Sequence, residues 1–248
     1  MSALLEARGL IKRFGGLVAS AGLSLDIAEG EVHALIGPNG AGKTTAIGQL
    51  AGEMRPDAGS IRFAGQEITR LPVQRRTRLG LTRSFQVTSI FPHFTAVENV
   101  MTVLLVRSGR VFRFFAAARR ETTLREEARA MLARVGLEAR GDVVAEDLAH
   151  GEQRLLELAM ALATGARLLL LDEPMAGLGP LESQAMTRTL GGLKGRVTML
   201  LVEHDMQAVF ALADRVSVLV SGKVIASGEP AAIRADPLVR EAYLGEDS

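Results

Sequence analysis

Two hydrophobic rhythms divide this chain. Toward both ends, apolar residues come in short, nearly continuous runs: residues 32–36, the four leucines at 168–171, 197–202 and 216–220. Such runs predict strands of a parallel sheet covered on both faces. Residues 4–10 and 23–27 predict two more short strands around Phe14-Gly15-Gly16. A turn signal at 56–60 leads into an alternating strand at 61–65, and Ser221-Gly222-Lys223 turns the chain into a strand at 224–226. From about 95 to 163 the rhythm becomes helical. Thr95 and Glu98 have capping-box spacing ahead of an apolar run. Residues 119–135 put Leu124, Ala128, Met131, Leu132 and Val135 on one side of a charged helix that Gly136 can end. Residues 155–164 read as a buried helix, and helices over 44–50, 181–193 and 205–213 fall between strands. Strand–helix alternation around a helical middle predicts an α/β core carrying an inserted helical subdomain.

Composition narrows this picture. The 248 residues suit one large domain or one domain with an inserted subdomain, and 48% hydrophobic residues can fill its core. With 29 basic and 28 acidic residues the net charge is +1, so no overall field favours nucleic acid. The chain has no cysteine, which excludes disulfides and thiolate metal sites. Glu6 and Arg8 interrupt the first apolar residues, so no secretory signal is expected. The most apolar stretch, 155–171, is broken by Glu157 and Arg167 and falls short of a membrane span. The chain is expected to be soluble, or to reach a membrane through a partner.

The chemistry centres on Gly37-Pro38-Asn39-Gly40-Ala41-Gly42-Lys43-Thr44-Thr45, between the strand at 32–36 and the helix at 44–50. This is a complete phosphate-binding loop. Its glycines let successive N–H groups turn toward a phosphate chain at a helix N-terminus. Lys43 can reach the β- and γ-phosphates, and the Thr44 hydroxyl can hold Mg²⁺. The chain is therefore expected to bind a nucleoside triphosphate. The four leucines end in Asp172-Glu173, a Walker B pattern. There an Asp at a strand end can orient Mg²⁺, and the next Glu can act as general base on water.

Leu148-Ala149-His150-Gly151-Glu152-Gln153-Arg154 precedes the buried helix. It resembles the signature motif, usually written LSGGQ, of ATP-binding-cassette (ABC) ATPases. Gln86 in Arg83-Ser84-Phe85-Gln86 resembles that family's Q-loop glutamine, and His204 in Val202-Glu203-His204-Asp205 its switch histidine. Phe14 resembles the aromatic that stacks on adenine; read alone, it is also a candidate core residue. The resemblance implies one P-loop NTPase domain over 1–248. It would have a RecA-like core at about 1–87 and 166–248, an antiparallel β subdomain, and a helical subdomain at about 88–165. It further implies two cassettes packed head to tail with ATP and Mg²⁺ between them. Phe14 and residues 37–45 would grip the nucleotide from one cassette, and His150, Gly151 and Glu152 from the other. Thr44, Gln86 and Asp172 would serve the metal, and Glu173, His204 and Gln86 the catalysis. Ala149, Glu152 and Gly179 depart from the usual Ser, Gln and Asp; the first leaves one hydroxyl contact to the γ-phosphate missing.

Gly177-Leu178-Gly179-Pro180, the Arg83–Gln86 stretch with Phe91-Pro92, and the ending Ala242-Tyr243-Leu244-Gly245-Glu246 narrow the resemblance. They look like ATP-binding subunits of branched-chain amino-acid importers. That implies a second ATPase subunit, transmembrane permease subunits, an external binding protein, and a peripheral place on the cytoplasmic face of the membrane. Export of a lipid or polysaccharide, and a non-transport ABC ATPase, are the alternatives. Over 107–125, Arg107, Arg110, Arg113, Arg119, Arg120 and Arg125 interleave with Phe112, Phe114 and Phe115. This segment reads as a solvated helical face with a few core phenylalanines, as a surface near anionic headgroups, or as a nucleic-acid patch, which the neutral net charge opposes.

Overall fold

The computed structural model describes residues 3–84, 90–109 and 117–241, with side chains outside 117–121. In chain order the elements are β1 (Ala3–Phe14), β2 (Leu17–Ala28), β3 (Val32–Ile36), α1 (Lys43–Ala51), β4 (Ala58–Phe63), β5 (Gln66–Glu67), α2 (Val73–Leu79) and β6 (Leu81–Arg83). Three longer helices follow: α3 (Ala96–Arg107), α4 (Ala117–Arg134) and α5 (His150–Ala163). Then come β7 (Leu168–Asp172), α6 (Pro180–Leu193), β8 (Thr198–Val202), α7 (Met206–Leu212), β9 (Arg215–Val220), β10 (Lys223–Gly228), α8 (Pro230–Ala235) and α9 (Pro237–Val239). The chain separates into two compact units: Met1–Arg83 with Arg167–Glu173 and Leu193–Ser248, and Ser84–Ala166 with Pro174–Gly192. Residues 174–192, which the sequence alone assigns to the core, thus group with the helical unit.

The first unit holds two sheets. One is antiparallel, in the order β2-β1-β4-β5; the other runs β10-β9-β3-β8-β7-β6 and is parallel except for β10. β3, β7 and β8 are buried at every position, as their continuous apolar runs require. Helix α1 explains why. Ala46, Ile47 and Leu50 join Leu35, Leu170, Leu200 and Leu219 of the parallel sheet and Leu5, Leu23 and Ile61 of the antiparallel one in a single core. Ala34, Ile36, Val216 and Val218 form a second core with Val209, Ile233 and Val239 of α7, α8 and α9. β1 and β2 run longer than their apolar residues predict, because pairing continues through Lys12–Ser20, Arg13–Val18 and Phe14–Leu17. The short β6 and α2 have no periodicity to betray them; β6 is fixed by pairing with β7.

In the second unit α3, α4 and α5 pack against one another. The capping box at α3 forms: Glu98 N–H donates to the Thr95 hydroxyl at 3.3 Å, and Thr95 N–H to Glu98 Oε2 at 2.8 Å. Fully buried Asn99 pins the preceding loop, donating to the carbonyls of Phe91 and Thr95 and accepting from Phe91 N–H. Gly136 ends α4 at φ 77°, where a side chain would strain the backbone. Arg107 donates to the Ala163 carbonyl and pairs with Glu127, and Arg125 pairs with Asp142. Arg110, Arg113, Phe112, Phe114 and Phe115, like the side chains of Arg119 and Arg120, lie outside the described residues. Among the described residues no helix is long and apolar enough to cross a membrane.

Candidate nucleotide-binding site

The parallel sheet brings three chain segments to one edge, beyond the carboxyl ends of adjacent strands β3, β8 and β7, where open α/β sheets bind ligands. The loop 37–42 leaves β3 and enters α1. Gly42, the residue before the helix, sits at φ 102°, and a Cβ there would meet the Ala19 carbonyl oxygen at 2.3 Å. At Gly37 a Cβ would meet the Leu219 carbonyl oxygen at 2.1 Å. The strands therefore press on the loop so closely that glycine is required at both positions. Asn39 and Gly40 are exposed at its tip, Ala41 is buried, and Thr44 and Thr45 lie in the first turn of α1. The Lys43 ammonium donates to the carbonyls of Gly37 at 2.7 Å and Pro38 at 3.1 Å, lying across the loop. Burial holds its pKa below the ordinary lysine value, against the opposing pull of Glu173 and Asp172.

The two acids after β7 have different surroundings. Asp172 is buried, and its Oδ2 accepts from the Arg83 guanidinium at 2.6 Å; Arg83 also pairs with Glu53. Glu173 adopts φ 49°, a left-handed conformation rare for a side chain of this size. Its N–H donates to the Val202 carbonyl at 2.9 Å, tying it to β8. Its half-exposed carboxylate lies 4.0 Å from Nδ1 of His204. The loop carrying His204 is held on both sides. The fully buried Glu203 carboxylate accepts from His204 N–H at 3.0 Å, and Asp205 caps α7 by accepting from Gln207 N–H and Ala208 N–H. Lys43, Asp172, Glu173 and His204 thus come together, while Gln86 lies outside the described residues. A hydroxyl at Thr44 and a carboxylate at Asp172 are hard oxygen donors of the kind Mg²⁺ takes. Phe14 is 48% exposed, with the Lys12 ammonium 5.7 Å above its ring. It is therefore not a core residue.

The signature residues open α5 in the other unit. Glu152 turns back to accept from Ala149 N–H at 3.0 Å and pairs with Arg140 at 3.0 Å, a structural use for the acid that replaces the usual glutamine. His150 lies against Gly177, where an added Cβ would meet its Nε2 at 3.3 Å. Gly151 N–H donates to Glu182 Oε1 at 3.2 Å. Glu53 and Glu182 belong to no motif, and Arg83 and Glu203 stand in motifs only as neighbours of Gln86 and His204, so the sequence gives none of the four a role. The one available signal was the position of Arg83, three residues before Gln86.

A phosphate loop between a buried parallel strand and a helix, facing an Asp-Glu pair on a neighbouring strand, defines a P-loop nucleoside triphosphatase. The comparisons narrow this. Residues 21–176 match the family model described as ABC transporter, and residues 223–248 the one described as branched-chain amino acid ATP-binding cassette transporter. The high-affinity branched-chain amino acid transport ATP-binding protein BraF of Pseudomonas aeruginosa is 41% identical over 98% of both chains. The lipopolysaccharide export system ATP-binding protein LptB of Acidithiobacillus ferridurans is 37% identical, over 99% of this chain and 98% of its own. The ADP conformation of an ATP-binding cassette of an ABC transporter superposes with a TM-score of 0.86 at 28% identity, covering 99% of this chain and all of the other. The chain belongs to the ABC transporter family and is an ATPase cassette of that family.

Proposed function

We propose that this chain binds ATP with Mg²⁺ and hydrolyses it to drive an importer of branched-chain or other hydrophobic amino acids, or of related amides. Residues 37–45 cradle the phosphates and Phe14 stacks on the base. Thr44, Asp172 and Gln86 would hold the metal, which would supply positive charge against the charge that builds up on the phosphates. Lys43 exchanges its bonds to the loop carbonyls of Gly37 and Pro38 for the β- and γ-phosphates. Glu173 accepts a proton from the attacking water. His204, whose Nδ1 lies 4.0 Å from the Glu173 carboxylate, steadies the γ-phosphate. Phosphoryl transfer asks mainly for positioning and charge stabilisation, which these groups supply. His150, Gly151 and Glu152 of a second ATPase subunit, identical or paralogous, close over the nucleotide.

The observation that carries the reading is the left-handed Glu173, set beside His204 and close enough to Lys43 to act on its charge. The importer assignment is supported by the full-length similarity to BraF and by the match of residues 223–248. It brings transmembrane permease subunits, an external binding protein and a peripheral site on the cytoplasmic face of the membrane. The similarity to LptB favours a second reading, the motor of a lipid or polysaccharide exporter. Affinity purification of the tagged chain from native membranes separates the two. The expected result is recovery with permease subunits whose ATPase activity rises when a binding protein loaded with a branched-chain amino acid is added. Recovery of a complex that answers only to a lipopolysaccharide-type lipid overturns the importer assignment.

A further inference from the structure

Ala149, at the cap of α5, has no side-chain oxygen to accept from the N–H groups of the first turn, although Glu152 reaches back to the N–H of Ala149 itself. The vacancy at Gly151 N–H is filled from another element. Glu182, in the first turn of α6, accepts from Gly151 N–H through Oε1 at 3.2 Å and from Gly179 N–H through Oε2 at 3.0 Å. The approach is close: a Cβ at residue 151 would meet Oε1 at 2.8 Å and displace the Glu182 carboxylate. One carboxylate therefore ties the signature helix to the segment that follows Glu173-Pro174.

The head-to-tail sandwich of two cassettes proposed above, on which this inference rests, sets Gly151 over the nucleotide held by the second subunit, and at a helix N-terminus the group Gly151 offers the γ-phosphate is its N–H. A single N–H cannot satisfy two anions, and a carboxylate in hydrogen-bond contact with that donor repels an arriving phosphate in a site from which water is being excluded. We propose that Glu182 is a positioning residue that acts through Gly151. It keeps the signature amide satisfied and oriented in the separate subunit and must withdraw when the γ-phosphate arrives. Withdrawal also releases Gly179 N–H, so phosphate binding at the signature is transmitted to the stretch just after the general base. The missing serine hydroxyl at position 149 is consistent with this, because Glu182 does the capping that the hydroxyl would otherwise share.

The test follows ATP-dependent dimerisation of the full chain in a Glu173→Gln background by analytical ultracentrifugation. Glu182→Gln keeps the shape and removes the charge, and Glu182→Ala removes the contact. Both are expected to lower the ATP concentration at half-dimerisation about tenfold, the lower range for one charge-assisted hydrogen bond. Both are also expected to lower the melting temperature of the nucleotide-free chain, since a cap is lost. In the Glu173 background, KM for ATP should fall by more than kcat changes. A plain structural cap would lower the melting temperature without lowering the midpoint. A midpoint unchanged or raised in both variants, in a parent that does dimerise, overturns the inference alone. A parent and variants that bind ATP yet stay monomeric throughout the titration overturn the sandwich reading and this inference with it.

Discussion

Asp172 and Glu173 are neighbours in the chain, yet the backbone gives them different chemistry. Asp172 completes the buried strand and is held by Arg83, whereas the left-handed turn at Glu173 leaves its carboxylate half-exposed beside His204. Strain of this kind at one residue marks a position where geometry matters more than comfort. Replacing Glu173 by Gln is expected to cut kcat by about 10²–10⁴-fold, the usual contribution of a general base, with ATP affinity retained; single-turnover hydrolysis and fluorescent-nucleotide binding measure the two. Turnover at the parent rate would remove Glu173 from the role of base. The acidic pair was legible in the sequence because it ends an unmistakable apolar strand. Arg83 was not, since an isolated arginine becomes meaningful only when β6 pairs with β7 and sets its guanidinium on Asp172.

Helix α3 draws its start from a local motif. Its capping box was visible in the spacing of Thr95 and Glu98 and forms as expected. The Thr95 backbone N–H, and then its hydroxyl, hold the Glu98 carboxyl below its ordinary pKa. A carboxylate whose folded pKa is depressed stabilises the fold above its unfolded value and loses that contribution as pH falls through the folded one. Thr95→Ala is therefore expected to cost about 1 kcal/mol at neutral pH, and to make the loss of stability below about pH 4.3 shallower; urea unfolding across pH measures both. Equal steepness in parent and variant would show that the Thr95 hydroxyl contributes nothing to the acid limb, the backbone N–H being kept in both. The start of α5 was less legible. The apolar run marks only its buried part, and the first turn is fixed by Glu152, Arg140 and Glu182, which arrive from within and beyond the helix.

At the scale of the whole molecule, nucleotide binding should appear as stability. A ligand that binds only the folded chain adds about 2.7 kcal/mol at one hundred times its dissociation constant. ATP is thus expected to raise the melting temperature of the chain, and Lys43→Ala to abolish most of that rise; calorimetry with and without ATP tests it, and an equal rise in the variant would clear Lys43 of the role. The sequence by itself determined the four apolar strands near 32–36, 168–172, 197–202 and 216–220, the phosphate loop, the Asp172-Glu173 pair and the place of His204 after a buried strand. Each is written in a short window where backbone conformation and side-chain chemistry demand particular residues at fixed spacing. Tertiary structure alone decided that residues 174–192 group with the helical unit, that Arg83 holds Asp172, that Phe14 is exposed, and that Glu182 occupies the amide of Gly151. These depend on pairing and packing between segments far apart in the chain, and no local pattern records which distant carboxylate or guanidinium will arrive.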